Sequence, residues 1–383
     1  MRKLSAEEIA LIRHLVTGTE PPTRDAAIDW DLVTTSAGYH RLAPLLFAGL
    51  KQSPFEAKAS ALGRLEKAVH VALAKTVVRL NHIDALEAAA ERTGRTLCLL
   101  KGAAFAGWLY PNPASRPMAD VDALVHPEEL PGWVSEILQL GFRHHESSDH
   151  ATCFRHRHTG VFIELHQSLT SCNRYLGVNT SELLERSLAQ GSLRTLRPED
   201  HLMHLCLHAS VQHGFRQPAI NARDANLLVA QPGFDRQRFL ERASRPRWVA
   251  WIYGGLRLSH LVFPSAELHA LAQALRDAVP HQLVRKLSRL DPADGLSPDP
   301  RTNVTPPFRR LLWAGDISTK SALLIEVLRP RGEGSTPKAS SWARRVTQLL
   351  WNHGFKNSSL ALMKQAQTFL RPTPASLGEV RDV

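Results

Sequence analysis

The 383-residue sequence has no apolar run long enough for a membrane span, which needs roughly 18 or more uncharged residues. The longest approach, residues 248–263, is broken by Arg257 and His260. The N-terminus, MRKLSAEEIALIRHLV, does not read as a secretory leader, because Glu7 and Glu8 fall where the apolar region would lie. Cysteine is scarce. Cys98, Cys153, Cys172 and Cys206 are far apart with no C-x-x-C pair, which argues against a zinc or disulfide framework and suits a reducing compartment. Internal repeats and low-complexity tracts are absent. The expectation is a soluble, cytoplasmic protein with no transmembrane segment. Its 43% apolar and 22% charged residues fit a globular chain, with length for two or three domains.

Acids are outnumbered, 36 against 47 lysines and arginines, for a formal charge of +11. Residues 301–383 hold 13 basic and 5 acidic residues, a net +8, so most of the excess lies in the last fifth. A basic tail can meet nucleic acid, acidic lipid or a phosphorylated substrate, or be a solvated face and nothing more.

Along the chain, residues 1–95 read as a helical N-terminal region. Ser5 caps a first helix, TGTEPPT at 17–23 breaks the pattern, and a long helix over about 65–91 stops at Gly94. Residues 96–190 read as an α/β core: a strand at TLCLL (96–100), a short helix at 103–110, a Pro-rich loop at 111–117 and a strand at 119–125. A helix at 127–141 and strands at 151–155 and 161–166 complete it. Residues 191–290 return to helices, at 201–213, 220–230, 235–243, 247–260 and 265–277. Residues 291–383 form a basic C-terminal region, with loops at 291–307 and 329–340 and a helix near 341–353.

The chemistry centres on Asp120-Val121-Asp122. Residues i and i+2 of a strand share a face, so both carboxylates project together, an expensive arrangement unless a cation sits between them. Magnesium is the usual partner, although D-x-D is common by chance and a pair of solvent-facing acids needs no ion. VFIELH (161–166) alternates, placing Glu164 and His166 on one face. If that strand lies beside Asp120 and Asp122, three carboxylates converge, enough for two magnesium ions clamping a displacement at phosphorus. Gly102 follows a strand and opens a helix, where amides of residues 102–104 can take phosphate oxygens and Lys101 can add charge.

LLKGAAFAGWLYPNPASRPMADVDALV followed by VFIELHQSL resembles the uncharacterised nucleotidyltransferase family of the DNA polymerase beta superfamily. The carrying features are the Leu-Lys-Gly turn, the Tyr-Pro loop, an arginine, the Asp-x-Asp strand and the later Glu-x-His. RPEDHLMHLCLHAS and the aspartate of ARDANLLV resemble its helical second half, and the likeness covers about residues 40–260. It implies an α+β fold: a polymerase-beta-like core, a small mixed sheet with helices, embedded between helical N- and C-terminal regions. It also implies that Asp120, Asp122 and Glu164 are catalytic and bind two Mg2+ ions, Mn2+ being an alternative. Glu164 would help deprotonate the acceptor, and Lys101, Gly102, Ala103 and Arg116 would bind the nucleotide. Ala103 stands where the broader superfamily usually has serine or glycine, which removes a hydroxyl contact and keeps the amide.

Arg116, in the loop before Asp120, suits a phosphate contact or a hold on a catalytic acid. His166 reads as a hydrogen-bonding support or a direct participant. His201, His204 and His208 form a helical stripe, but the segment lacks the glutamate of a zinc protease, so these histidines are expected to line a cleft or to bond Asp224. Asp224 in turn would orient His208 or touch substrate. Together these residues point to Mg-dependent transfer of a nucleoside monophosphate from a nucleoside triphosphate to an acceptor hydroxyl, releasing pyrophosphate. A small molecule or modified peptide is favoured as acceptor over RNA, because stacking aromatics are sparse in the basic tail and no RNA-binding motif is present. The alternatives are an RNA- or tRNA-directed transferase of toxin type and a non-catalytic nucleotide-binding module.

Overall fold

Ser5 begins the first helix through a capping box, its hydroxyl accepting from the Glu8 amide while the Glu8 carboxylate accepts from the Ser5 amide. In the computed structural model, residues 2–296 and 298 are described, apart from 24–26, 149, 172 and 214–216. The expectations for the helix near 341–353, the loop at 329–340 and the basic tail lie outside the described residues. Four helices precede the sheet: α1 (Ala6–Thr17), α2 (Trp30–Tyr39), α3 (Ala43–Lys51) and α4 (Ala59–Thr93). At 35 residues α4 runs for about 52 Å. It ends where Gly94 takes a left-handed φ of 67°, a conformation that costs glycine little.

The chain then alternates. Strand β1 (Cys98–Leu99), helix α5 (Lys101–Phe105), strand β2 (Val121–Leu124) and helix α6 (Leu130–Gln139) come first. Strands β3 (Phe142–Ser147), β4 (Ala151–His156) and β5 (Phe162–His166) follow, then short helices α7 (Asn173–Leu176) and α8 (Thr180–Glu185). A hairpin, β6 (Leu188–Gln190) and β7 (Leu193–Thr195), closes the sheet. The strand order is β3-β4-β5-β2-β1-β7-β6, with β2 parallel to β5, β1 parallel to β7 and the other pairs antiparallel. This is the small mixed sheet between helical regions that the sequence implies.

Three details differ from the sequence reading. The strand expected over 96–100 shortens to two residues because the chain turns into α5 at Lys101. β3 carries no alternation, since every residue after Phe142 is exposed on this edge strand. β6 and β7 carry the sheet to Thr195, past the boundary expected at 190.

Seven helices follow: α9 (Pro198–Leu207), α10 (Ile220–Val229), α11 (Arg236–Ala243), α12 (Val249–Val262), α13 (Ala266–Leu275), α14 (His281–Leu287) and α15 (Pro292–Leu296). The last lies where a loop was expected; Asp291 accepts from the Ala293 amide at its start, and Leu296 is buried. α9 is buried from Glu199 to Leu207 and continues as a π-helical turn over His208–Gln212. Its buried Asp200 is gripped by Arg186 (2.7 and 2.9 Å) and by Arg242 (2.9 Å), tying α8, α9 and α11 together. Among the described residues no helix is long and apolar enough to cross a membrane, and Cys98, Cys153 and Cys206 are buried and unpaired.

Glu8 also accepts from the Asp29 amide (3.0 Å) and from Arg2 (2.5 and 2.8 Å), so it joins α1 to the start of α2. Burial would raise its carboxyl, but Arg2 and the amides of Ser5 and Asp29 outweigh burial and hold it down from 4.5 to about 2. A carboxyl lowered in the folded state stabilises fully above its unfolded value and loses that contribution as pH falls through the folded one. Glu8→Gln is expected to cost about 1–3 kcal/mol at neutral pH. It should also flatten the dependence of the urea midpoint on pH between 4.5 and 2.

Candidate active site

The parallel pairing of β2 with β5 sets Asp122 opposite Glu164 and Leu124 opposite His166. Two-residue periodicity then puts the Asp122, Glu164 and His166 side chains on one face, with Asp120 just ahead of β2. Asp122 is 3% exposed. Its Oδ1 accepts from Lys101 Nζ at 2.9 Å and lies 2.8 Å from His166 Nε2. A carboxylate only accepts, so Nε2 carries the hydrogen; Nδ1 is buried without a partner. His166 Nε2 also lies 3.5 Å from Glu164 Oε2, and the Glu164 side chain keeps 31% exposure. One ligand atom each from Asp122, Glu164 and His166 falls within 4.8 Å of the others.

Lys101 reaches Asp122 by an unusual backbone. Its φ is +47°, a left-handed conformation rare for a non-glycine residue and typical of functional turns. The Leu100 amide donates to the Asp122 carbonyl at 2.9 Å, so turn and strand are joined through the main chain as well. Gly102 is buried. A Cβ there would fall 2.8 Å from Met118 Cγ and 3.3 Å from Arg116 Nη1, so packing against this loop already requires glycine. Ala103 beside it is buried too.

The charges balance closely. Burial raises the Asp120 carboxyl, and the neighbouring Asp122 charge raises it further, against the pull of Lys101 and Arg41. Asp122 is the reverse: burial would raise it, but Lys101 and His166 force it well below the carboxylate range. For Lys101 and His166, burial favours the neutral forms and is overcome by the carboxylates, so both are held more strongly protonated than usual.

Two arginines escaped the sequence reading. Arg79, on α4, donates to the Ala119 carbonyl at 2.6 and 3.2 Å, fixing the backbone just before Asp120. Arg41, in the turn between α2 and α3, interacts electrostatically with Asp120 and Asp122. Neither belongs to a spacing that marks it out in the sequence.

Other expected residues have different places. Arg116 is 2% exposed, and its Nε and Nη2 donate to the Asp224 carboxylate at 2.6–3.0 Å. Its remaining bonds go to Asn221 (3.1 Å) and the Pro117 carbonyl (2.8 Å), so it anchors the loop and is not open to a phosphate. Asp224, fully buried, accepts from Arg116 and from Tyr110 Oη at 2.7 Å, and orients neither His208 nor a substrate. His204 is fully buried with neither ring nitrogen bonded, and burial drives both His204 and His208 well toward the neutral form. Among the described residues, the partners of Asp224 are Arg116 and Tyr110 rather than these histidines. Among the described residues, the group able to hold a metal is Asp122, Glu164 and His166; the stripe of His201, His204 and His208 forms no such group. Asp120, just ahead of β2, is not one of these three, and His166 is.

Because Asp224 is paired in the interior, Asp224→Asn is expected to destabilise by about 3–5 kcal/mol, as breaking a buried ion pair does. Denaturant unfolding checks the loss, and divalent-ion affinity measured below the unfolding transition should stay within about twofold of wild type, since no metal-capable side chain is altered.

The uncharacterised nucleotidyltransferase family model matches residues 26–264, which contain the sheet, the carboxylates and helices α2 to α12. No curated protein and no solved structure matches the chain. The match spans well over half of the 383 residues, so the protein is a nucleotidyltransferase and belongs to the uncharacterised nucleotidyltransferase family.

Proposed function

We propose that the protein transfers a nucleoside monophosphate from a nucleoside triphosphate to an acceptor hydroxyl, with release of pyrophosphate. The observation that carries this reading is the register of Asp122 on Glu164, which gathers acids, an imidazole and Lys101 on one sheet face. Two carboxylates and an imidazole fit a divalent ion: the oxygens suit Mg2+, and the nitrogen widens the choice to Mn2+. Asp122, Glu164 and His166 would hold one ion, and a second would rest on Asp120 with Asp122. Bound there, such ions supply positive charge to the substrate phosphates.

The chain's own groups divide the remaining work. Lys101 keeps Asp122 ionised and aimed along the face. The acceptor oxygen attacks the α-phosphorus, the bond from that phosphorus to the bridging oxygen breaks, and pyrophosphate departs. The hydroxyl proton passes to a carboxylate of this face. The turn at Lys101, Gly102 and Ala103 lies beside the phosphates in this reading. A small molecule or peptide remains the favoured acceptor, and the cysteine pattern supports a cytoplasmic setting.

Two measurements test the proposal. With labelled nucleoside triphosphates and cell-extract acceptors, Glu164→Gln should lower label transfer by about 100-fold or more. Undiminished transfer would sink the assignment. Divalent-ion affinity should rise with pH. His166, whose protonated form Asp122 and Glu164 favour despite burial, must release its proton to become a ligand. Calorimetry is expected to show about a tenfold gain per pH unit until that proton is gone, and a plateau beyond.

A further inference from the structure

Four cations surround the carboxylate face, and three are already engaged. Lys101 is bonded to Asp122. Arg116 is closed into its pair with Asp224. Arg79 donates to the carbonyls of Ala119 and Lys75. Arg41 differs. It is partly buried, its charge interacts with Asp120 and Asp122, and among the described residues its guanidinium makes no hydrogen bond and no ion pair within 4.0 Å. Taking a guanidinium out of water without a bonded partner is costly, and an arriving anion would relieve that cost.

The backbone at Arg41 is held by its neighbours. Its φ is +59°, another left-handed non-glycine residue beside the site. The turn is fixed on both sides: the Leu42 amide bonds the Ala37 carbonyl at 2.8 Å, and Leu42 is fully buried. His40 accepts through its carbonyl from the Ile220 amide (3.3 Å) and through Nδ1 from the Ala219 amide (3.1 Å), at the start of α10. The guanidinium therefore projects from a rigid turn with donors uncommitted. Its planar fork matches phosphate oxygens.

We infer that Arg41 binds the triphosphate of the nucleotide, as an anion-binding residue supplied by the N-terminal helical region to a site otherwise built on the sheet. The inference rests on the nucleotidyl-transfer reading. It follows from charge: Lys101 is already committed to Asp122, and Arg41 is the cation near the acids whose donors are free, among the described residues, to meet phosphate oxygens.

The test compares wild type with Arg41→Ala and Arg41→Lys by calorimetry, using each nucleoside triphosphate, inorganic tripolyphosphate and Mn2+ alone. Thermal unfolding of each variant reports whether it is folded. For Arg41→Ala the expectation is an affinity loss of about 10- to 100-fold for triphosphates and tripolyphosphate alike, the range for a charge-assisted hydrogen bond. Mn2+ affinity should hold or rise, because a neighbouring positive charge is gone. Arg41→Lys should restore part of the loss. If wild type binds nucleotide and a folded Arg41→Ala binds it equally, the inference fails while the nucleotide reading stands. A rise in Mn2+ affinity with unchanged nucleotide binding also overturns it, leaving Arg41 as a counter-charge to the acids. If wild type binds tripolyphosphate through Arg41 but no nucleoside triphosphate, the anion site stands and the nucleotide reading falls. If it binds neither, both fall.

Discussion

One carboxylate oxygen holds the site together. Asp122 Oδ1 receives Lys101 from the turn after β1 and His166 from the end of β5, and Asp122 itself belongs to β2. Three neighbouring segments of the sheet are thereby joined through a single buried atom. The interior penalty on that charge is several kcal/mol in principle and is met by two donors. The pairing also decides the state of the neighbours. With Asp122 fully ionised, the proton that the acidic face can hold is pushed onto Asp120.

Around this pair the remaining structure acts as support. Arg79 clamps the backbone before Asp120, and the Arg116–Asp224 pair fixes the preceding loop to α10. Tyr110 and Asn221 complete that attachment. The helical half therefore does more than cover the sheet: α10 sets the loop that delivers the first aspartate. Gly102 lies between the two systems, with Met118 and Arg116 packed where any side chain would have to go.

The sequence made the chemistry legible where it obeys short-range periodicity. Asp122, Glu164 and His166 were found because strands alternate, and the strand pairing then set them on one face, with Asp120 just ahead of β2. Arg41 and Arg79 stayed hidden because each approaches the site from a helical region far off in the chain, and no local pattern encodes such an approach. Arg116, Asp224 and His204 were recognised as special, and the structure places all three in the interior. A buried ion pair and a buried neutral imidazole use the same residue types as a binding site, and burial, which a sequence does not display, separates the two. β3 was missed for a related reason: an edge strand exposed on both faces lacks the alternation that reveals one.

The parallel contact of β2 with β5 joins residues about forty positions apart, with α6, β3 and β4 between them. Closing such a loop costs chain entropy that the strand contacts must repay, so Asp122 and Glu164 meet only once β5 has docked. The acidic face therefore cannot pre-exist in a half-made chain. While β5 is still undocked, Asp122 lacks its imidazole partner and Glu164 stands apart from it. A nascent or partly opened molecule would thus be catalytically silent, with competence appearing only once the sheet has closed.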